Sequence, residues 1–207
     1  MIYGVDMNLG VMIVMNNSVL KLVSVIPQSV NHYLATRVVM KSGKPIPVVY
    51  ETSDAKKYKK EFAGIIKKEV VSQNWELNEN KNQHYYCDCI FYFDRKHKDT
   101  NNYFKLLLDA ITESKCVWLD DETVCERVNA IYFDAKNPRI ELTIYPVDYI
   151  GIFKDRDSFD SFEDKCKSCS RYSKNCSILK KALEGRIQEE ISSEYKCSKF
   201  KEKKQKE

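Results

Sequence analysis

A group of oxygen-bearing side chains surrounds a helix that we predict over residues 100–113. Asp99 lies directly before this helix, and the pair Asp120-Asp121 follows beyond its far end. The helical period of about 100° per residue places a polar stripe on one side of the helix, formed by Asn101, Asn102, Lys105, Asp109 and Thr112. If the chain doubles back along a sheet, Asp121 returns to Asp99 and Asn101, and an oxygen-rich pocket forms beside Lys105.

Such a pocket suits a hard divalent cation such as Mg²⁺, which prefers oxygen ligands. A cation held there would polarise a phosphodiester and generate hydroxide, while Lys105 would offset the charge that develops on the phosphate oxygens. A structural interpretation stands beside this one, in which Asp99 only caps the helix and Asp120-Asp121 only forms a solvated turn. The pattern alone favours the structural interpretation.

Four cysteines near the C-terminus form a second candidate site, with the spacing C-x2-C-x6-C-x20-C: Cys166, Cys169, Cys176 and Cys197. Four thiolates suit a tetrahedral, structural Zn²⁺, which we favour, and an iron–sulfur cluster uses the same ligand type. A metal would also stabilise a unit too small to fold securely on its core alone. Between the third and fourth cysteines we predict an amphipathic helix whose apolar face is Leu179, Leu183, Ile187 and Ile191.

The remaining four cysteines are interpreted as packing residues. Cys87 and Cys89 share one face of a predicted strand, whereas Cys116 and Cys125 are isolated. Eight cysteines without a recognisable signal peptide or membrane span predict a cytoplasmic protein whose thiols are free or bind metal.

Hydrophobic periodicity predicts the elements that must position these groups. Strands are expected at 19–26, 37–42, 46–51, 84–94, 128–133 and 138–145, and a first helix from a cap at Ser53 to about Val71. The order of strands, helix, strand, helix and strands predicts an α+β fold in which two helices pack on a mixed sheet.

The composition divides the chain into four segments. We expect an N-terminal extension at 1–17 (with Met1 or Met15 as the start), a main domain at 18–150, a polar linker at 151–164, and a four-cysteine module with a basic tail at 165–207. Residues 1–150 carry as many acidic as basic side chains, so the net charge of +4 arises after residue 150. This balance neither requires nor excludes a nucleic acid partner.

Residues 98–124 resemble the signature of RusA-type Holliday junction resolvases. In that family an Asp-x-Asp-Asn-x-x-Lys run opens a helix containing Asp-Ala-Leu, and a Trp-x-Asp-Asp turn follows. The corresponding segments here are Asp99-Thr100-Asn101-Asn102-Tyr103-Phe104-Lys105, Asp109-Ala110-Ile111 and Trp118-Leu119-Asp120-Asp121. Upstream, the segment IPQSVNHYL, from Ile26 to Leu34, is similar to the family's Pro-Ser-x-Asn-x-Tyr element.

The resemblance implies a RusA-like fold and a phage- or prophage-type endodeoxyribonuclease of DNA recombination and repair, acting in a bacterial cytoplasm near the nucleoid. It would be a homodimer with Mg²⁺-dependent sites that cut a four-way DNA junction. By position, Asp99 and Asp121 become metal-binding carboxylates and Lys105 the catalytic cation. The residues expected near the DNA are Asn31, His32, Asn102 and Lys105.

One departure from the family pattern concerns the metal ligands. Asn101 occupies the family's second acidic position, so its amide oxygen can coordinate Mg²⁺ but brings no negative charge. Asp120 or Asp94 would have to compensate. The alternative is a weak or inert protein that binds junctions while its four-cysteine module recruits a protein partner.

Overall fold

The structure is a computed structural model that describes residues 19–203. In chain order the elements are β1 Leu20–Val25, β2 Leu34–Lys41, β3 Lys44–Glu51, α1 Ser53–Ser72, β4 His84–Phe93, α2 Asn101–Ser114, a 3-10 turn Asp121–Thr123, β5 Val124–Phe133, β6 Arg139–Val147, α3 Arg156–Ser168 and α4 Ile178–Leu183. The chain divides into an N-terminal unit that ends at Val147 and a C-terminal unit that begins at Asp148. The predicted extension at 1–17 lies outside the described residues.

The main sheet has the strand order β1-β6-β4-β5. β4 pairs in parallel with β5 and antiparallel with β6, and β1 pairs antiparallel with β6, so the sheet is mixed as predicted. Alternate residues of β4 are buried on one face, namely Tyr85, Cys87, Cys89, Phe91 and Phe93. They belong to one core with the apolar sides of α1 and α2, which confirms the predicted α+β fold.

The second and third strands form a separate hairpin instead of joining the main sheet. Ser42 and Gly43 make the turn, both with positive φ, and Gly43 supplies the left-handed conformation at little steric cost. The strands expected at 37–42 and 46–51 left residues 43–45 between them, whereas Lys44 and Pro45 already pair with β2.

The first helix is capped by Thr52, and the predicted cap Ser53 is its first residue. The Thr52 hydroxyl accepts a hydrogen bond from the backbone N–H of Ala55 at 3.3 Å, which satisfies one of the unpaired donors of the first turn. α1 packs against α2 and β1. Within residues 19–203, no helix is long and apolar enough to span a membrane.

The C-terminal unit differs from its prediction in two helices. The residues interpreted as a polar linker include most of α3, which Asp155 caps by accepting from the N–H of Ser158 at 2.8 Å. The helix predicted after Cys176 is only α4, because the chain leaves the helix at Glu184 and Gly185, whose φ is +77°. Ile187, assigned to a buried face, is 86% exposed.

Candidate active site

The polar side of α2 is set by the burial of its other side. Leu106, Leu107, Ala110 and Ile111 are fully buried, as the helical period predicted, while Asn101 and Lys105 are exposed. The first turn is held against the end of β4, where the Phe104 ring meets the Phe91 ring at 5.6 Å in an edge-on arrangement. The helix therefore presents a fixed polar stripe to solvent.

Asp99 organises the start of this helix. Its carboxylate Oδ1 accepts a hydrogen bond from the backbone N–H of Asn101 at 3.1 Å, and Thr100 at the cap position makes no side-chain capping bond. The structural role that we considered for Asp99 is therefore present. One oxygen of the carboxylate makes this bond, and a carboxylate has further lone pairs for other ligands.

The turn after β1 lies beside the start of α2. The backbone N–H of Val30 donates to the carbonyl of Asn102 at 2.7 Å, and the N–H of His32 donates to the carbonyl of Ser29 at 2.9 Å. Tyr33 is buried, whereas Asn31 and His32 are exposed. The two segments that carry the sequence motifs are thus joined directly, with Asn31 and His32 available at the surface.

The acidic pair after α2 is positioned by Trp118. This residue is buried, and its indole N–H donates to the Thr112 hydroxyl at 2.8 Å, which ties the turn back to the helix. Asp120 caps the 3-10 turn by accepting from the N–H of Glu122 at 3.1 Å, and that turn contacts α2. The acidic turn therefore lies against α2, and the expected approach of Asp121 to Asp99 and Asn101 stays a prediction.

Lys105 is the residue on which these segments converge. Its ammonium donates to Asp109 Oδ1 at 2.7 Å. This hydrogen bond is the main cause that raises the pKa of Lys105; burial opposes the rise, and the charges of Asp109, Asp121 and Tyr33 add to it. Asp121 and Tyr33 therefore lie close enough to act electrostatically on the Lys105 ammonium, which stays protonated at neutral pH.

Two participants were missed as site residues in the sequence. Asp109 was assigned to the polar stripe without a role, although its i,i+4 spacing from Lys105 is the signal for an ion pair on a helix. Tyr33 was part of the quoted motif, but only the fold shows that it lies near Lys105.

The acidic residues do not form one tight cluster. Among residues 19–203, no group of three or more His, Cys, Asp or Glu side chains is arranged so that it could hold a metal ion. Asp94, which we considered as a compensating ligand, is engaged in an ion pair with Lys98. The donor chemistry still suits Mg²⁺, because this ion usually keeps several waters and takes only one or two protein carboxylates together with substrate phosphates.

A cavity of about 640 Å³ in the C-terminal unit is lined by all four cysteines of the second candidate site. Aromatic side chains from around the unit share its wall, namely Phe162, Tyr172, Tyr195 and Phe200. The other cysteines lie outside this unit. Cys87 and Cys89 are buried in the sheet core and Cys116 is partly buried, in keeping with packing roles. Cys125 is exposed, so the packing role predicted for it is not seen.

Comparison with known proteins adds the family. A comparison with curated proteins finds no match. The family model described as "Endodeoxyribonuclease RusA" matches residues 29–145, more than half of the chain. This range contains the hairpin, both core helices, the acidic turn and three of the four strands of the main sheet (β6 as far as Tyr145), while β1 lies before it. The chain therefore belongs to the RusA endodeoxyribonuclease family.

Proposed function

We propose that the protein is a Mg²⁺-dependent endonuclease that cuts branched DNA, with a four-way junction as its substrate. The observation that carries the proposal is the ion pair of Lys105 with Asp109 on the exposed side of α2, with Asp121 near the same ammonium, in a chain of an endodeoxyribonuclease family. The protein would act in DNA recombination and repair.

Asp99 and Asp121 would hold the divalent ion, with the Asn101 amide oxygen and Asp120 as further ligands. The ion would supply Lewis acidity and a nucleophilic hydroxide. Lys105, kept charged by Asp109, would stabilise the negative charge that develops on the phosphate oxygens. Asn31, His32 and Asn102 would contact the DNA backbone beside this site, because the turn that exposes Asn31 and His32 is hydrogen-bonded to the half-buried Asn102.

The proposed homodimer has support in the edge strand β5. Among residues 19–203, β5 pairs only with β4, so its outer backbone edge has no partner strand within that range. It exposes apolar side chains, namely Val128, Ile131, Tyr132 and Phe133. Unpaired apolar edges of this kind associate with other chains. A second copy related by two-fold symmetry would cover this edge and give two sites for a two-fold symmetric junction.

The test is cleavage of a synthetic four-way junction with and without Mg²⁺. Replacing a metal-holding or charge-stabilising group removes transition-state stabilisation, so we expect Asp121→Asn and Lys105→Ala each to lower the cleavage rate by on the order of a hundredfold or more. Lys57→Ala is the matched control for Lys105→Ala, because Lys57 also forms an exposed i,i+4 ion pair, with Glu61 on α1. Full cleavage by Asp121→Asn would refute the assignment of the metal site.

A second candidate function, binding of junctions without cutting, is favoured by Asn101. An amide at this position lowers the negative charge available to bind a cation. In this case the wild-type protein would bind a junction equally well with and without Mg²⁺ and leave it intact, and Asn101→Asp would introduce cutting. The C-terminal unit would then recruit a protein partner.

A further inference from the structure

The β2–β3 hairpin forms its own two-stranded sheet and has two faces of different character. Side chains alternate between the faces along each strand, and residues paired across the ladder share a face. One face, here called the basic face, carries cations and an aromatic ring, namely Arg37, Lys41, Lys44 and Tyr50. The opposite face exposes apolar side chains, namely Val38, Met40 and Val49. We propose that the basic face binds the phosphate backbone of the DNA on one side of the cleaved bond. This inference rests on the proposed function, because it takes branched DNA as the ligand.

The base of the hairpin is joined to the candidate active site. The backbone N–H of Thr52 donates to the carbonyl of Tyr33 at 2.9 Å and closes the base of the hairpin. Tyr33 lies close enough to act electrostatically on the Lys105 ammonium. The turn before the hairpin is tied to the start of α2, because the N–H of Val30 donates to the carbonyl of Asn102 at 2.7 Å. DNA with a phosphate at Lys105 would therefore lie beside the hairpin.

The charges of the basic face are not balanced within the hairpin. Its three cations are exposed, and no residue on this face is acidic. Glu51 is the only acidic residue in the hairpin sequence. It belongs to the opposite face and is bound by Lys59 at 2.5 Å. Residues 1–150 carry equal numbers of acidic and basic side chains, so the fold concentrates positive charge on this face. Such a concentration is what a phosphate backbone attracts.

The two lysines at the tip of the hairpin repel each other. Lys41 and Lys44 are directly opposite in the ladder, on either side of the turn formed by Ser42 and Gly43. Like charges in this arrangement destabilise a hairpin. An anion that contacts both ammonium groups would replace the repulsion with attraction. A DNA phosphate is the anion that the adjoining site would bring to this position.

Arg37 extends the basic face from the tip towards the base. Its guanidinium carbon lies 5.3 Å from the centre of the Tyr50 ring, a distance at which a cation and an aromatic ring attract each other. Arg37 and Lys41 are four residues apart, which is roughly 13 Å along a strand. Duplex DNA carries about one phosphate charge per 1.7 Å of its axis, so roughly eight charges face this length. The basic face can therefore follow a DNA backbone rather than bind one isolated anion.

The experiment measures binding of the full chain to a fluorescent synthetic four-way junction at several salt concentrations, without Mg²⁺ so that no cleavage occurs. The variant with Arg37→Gln, Lys41→Gln and Lys44→Gln should reduce the slope of log affinity against log salt by about 2 to 3, because each phosphate contact contributes about 0.9. At about 0.1 M salt its affinity should be lower by on the order of a hundredfold.

The single substitution Lys44→Glu separates binding from folding. It converts the repelling pair at the tip into an opposite-charge pair, so it should raise the unfolding temperature slightly while it weakens junction binding about tenfold. A residue with only a structural role would not give this combination. Lys68→Glu is the matched control, because it makes the same charge change at an exposed position of α1, roughly 24 Å along the helix from Thr52. It should bind the junction within about twofold of wild type.

Wild-type affinity and salt slope in the triple variant would overturn the proposal, and so would an equal loss of binding in Lys68→Glu. Failure of the proposed nuclease function gives a different result. In that case the wild-type protein binds the junction and leaves it intact in Mg²⁺, and the basic-face variants still weaken the binding. A wild-type protein that binds no DNA would refute both proposals.

Discussion

The two units of the chain bury apolar side chains to very different extents. Among residues 19–203, the core of the N-terminal unit contains 25 buried apolar residues in one cluster, and that of the C-terminal unit contains three, Phe153, Phe162 and Ala182. Apolar burial is the dominant favourable term in folding. The N-terminal unit can therefore hold the exposed candidate site on a large core, whereas the three-residue core of the C-terminal unit supplies much less of this favourable term.

Metal loss is the change expected to separate the two units most. Structural metal sites with thiolate ligands contribute on the order of 10 kcal/mol to the folding of small units. Removing the metal that the cysteine spacing predicts, with a chelator under reducing conditions, should therefore unfold the C-terminal unit, while the N-terminal unit stays folded. Limited proteolysis read by mass spectrometry measures this as new cuts after Asp148. A C-terminal unit that is equally resistant with and without metal would show that its small core suffices.

Trp118→Ala is expected to have the opposite effect, destabilising the N-terminal unit and leaving the C-terminal unit unchanged. Trp118 is buried against the Tyr85 ring at 6.0 Å and bonds Thr112, so the truncation leaves a cavity that costs roughly 3–5 kcal/mol of unfolding free energy. Denaturant unfolding of the N-terminal unit measures the loss, and metal binding by the C-terminal unit should be unchanged. The neighbouring Leu119→Ala, at an exposed position, is the control and should cost less than about 0.5 kcal/mol.

A smaller effect is expected at Lys59, a buried cation of the N-terminal unit. Its ammonium lies 2.5 Å from Glu51 and 2.6 Å from Glu113, so it joins α1 to β3 and to α2. Burial acts to lower the pKa of Lys59, but the two carboxylates outweigh it and the pKa is raised. Because Glu113 is largely exposed, we expect Lys59→Met to cost about 1–2 kcal/mol at neutral pH.

The pH dependence of the unfolding free energy tests the raised pKa of Lys59. A pKa raised in the folded state means that the ion pairs stabilise the fold fully below the unfolded pKa of about 10.4 and are lost as pH rises through the folded pKa. The difference in unfolding free energy between wild type and Lys59→Met should therefore be constant from about pH 7 to 9 and shrink above about pH 10. Lys57→Met, at an exposed lysine, should show little difference at any pH.

The same contrast governs what the sequence could predict. In the N-terminal unit, alternation along β4 and the helical period of α2 identified the buried faces, because a large core enforces both patterns. The separate β2–β3 hairpin and the approach of Tyr33 to Lys105 were not predictable, because both depend on contacts between distant segments. For the site, the roles of Asp121 and Lys105 stay predictions, and the sequence analysis did not assign the ion pair between Asp109 and Lys105.

In the C-terminal unit the local patterns misled. α3 was interpreted as a linker because its Asp and Ser residues outweigh the apolar ones, although Phe159, Phe162 and Cys166 recur at helical spacing and pack together. The apolar residues after Cys176 recur at helical spacing, which predicted one long helix, yet the chain turns at Gly185. Glycine suits this turn, because its φ of +77° is one that other residues rarely adopt. A small core around a cavity imposes less regular patterns than a layered sheet.

The smallest expected effect compares two residues that the sequence placed on the same apolar face of the helix predicted after Cys176. Leu179 packs against the core of the C-terminal unit and lines its cavity, whereas Ile187 is 86% exposed. Leu179 is only half-buried, so Leu179→Ser should destabilise the C-terminal unit by about 1 kcal/mol, and Ile187→Ser should change its stability by less than about 0.5 kcal/mol. Denaturant unfolding read by the protection of the C-terminal unit against proteolysis measures both. Equal losses would mean that the helix continues past Gly185 and that periodicity, rather than the turn, describes this segment.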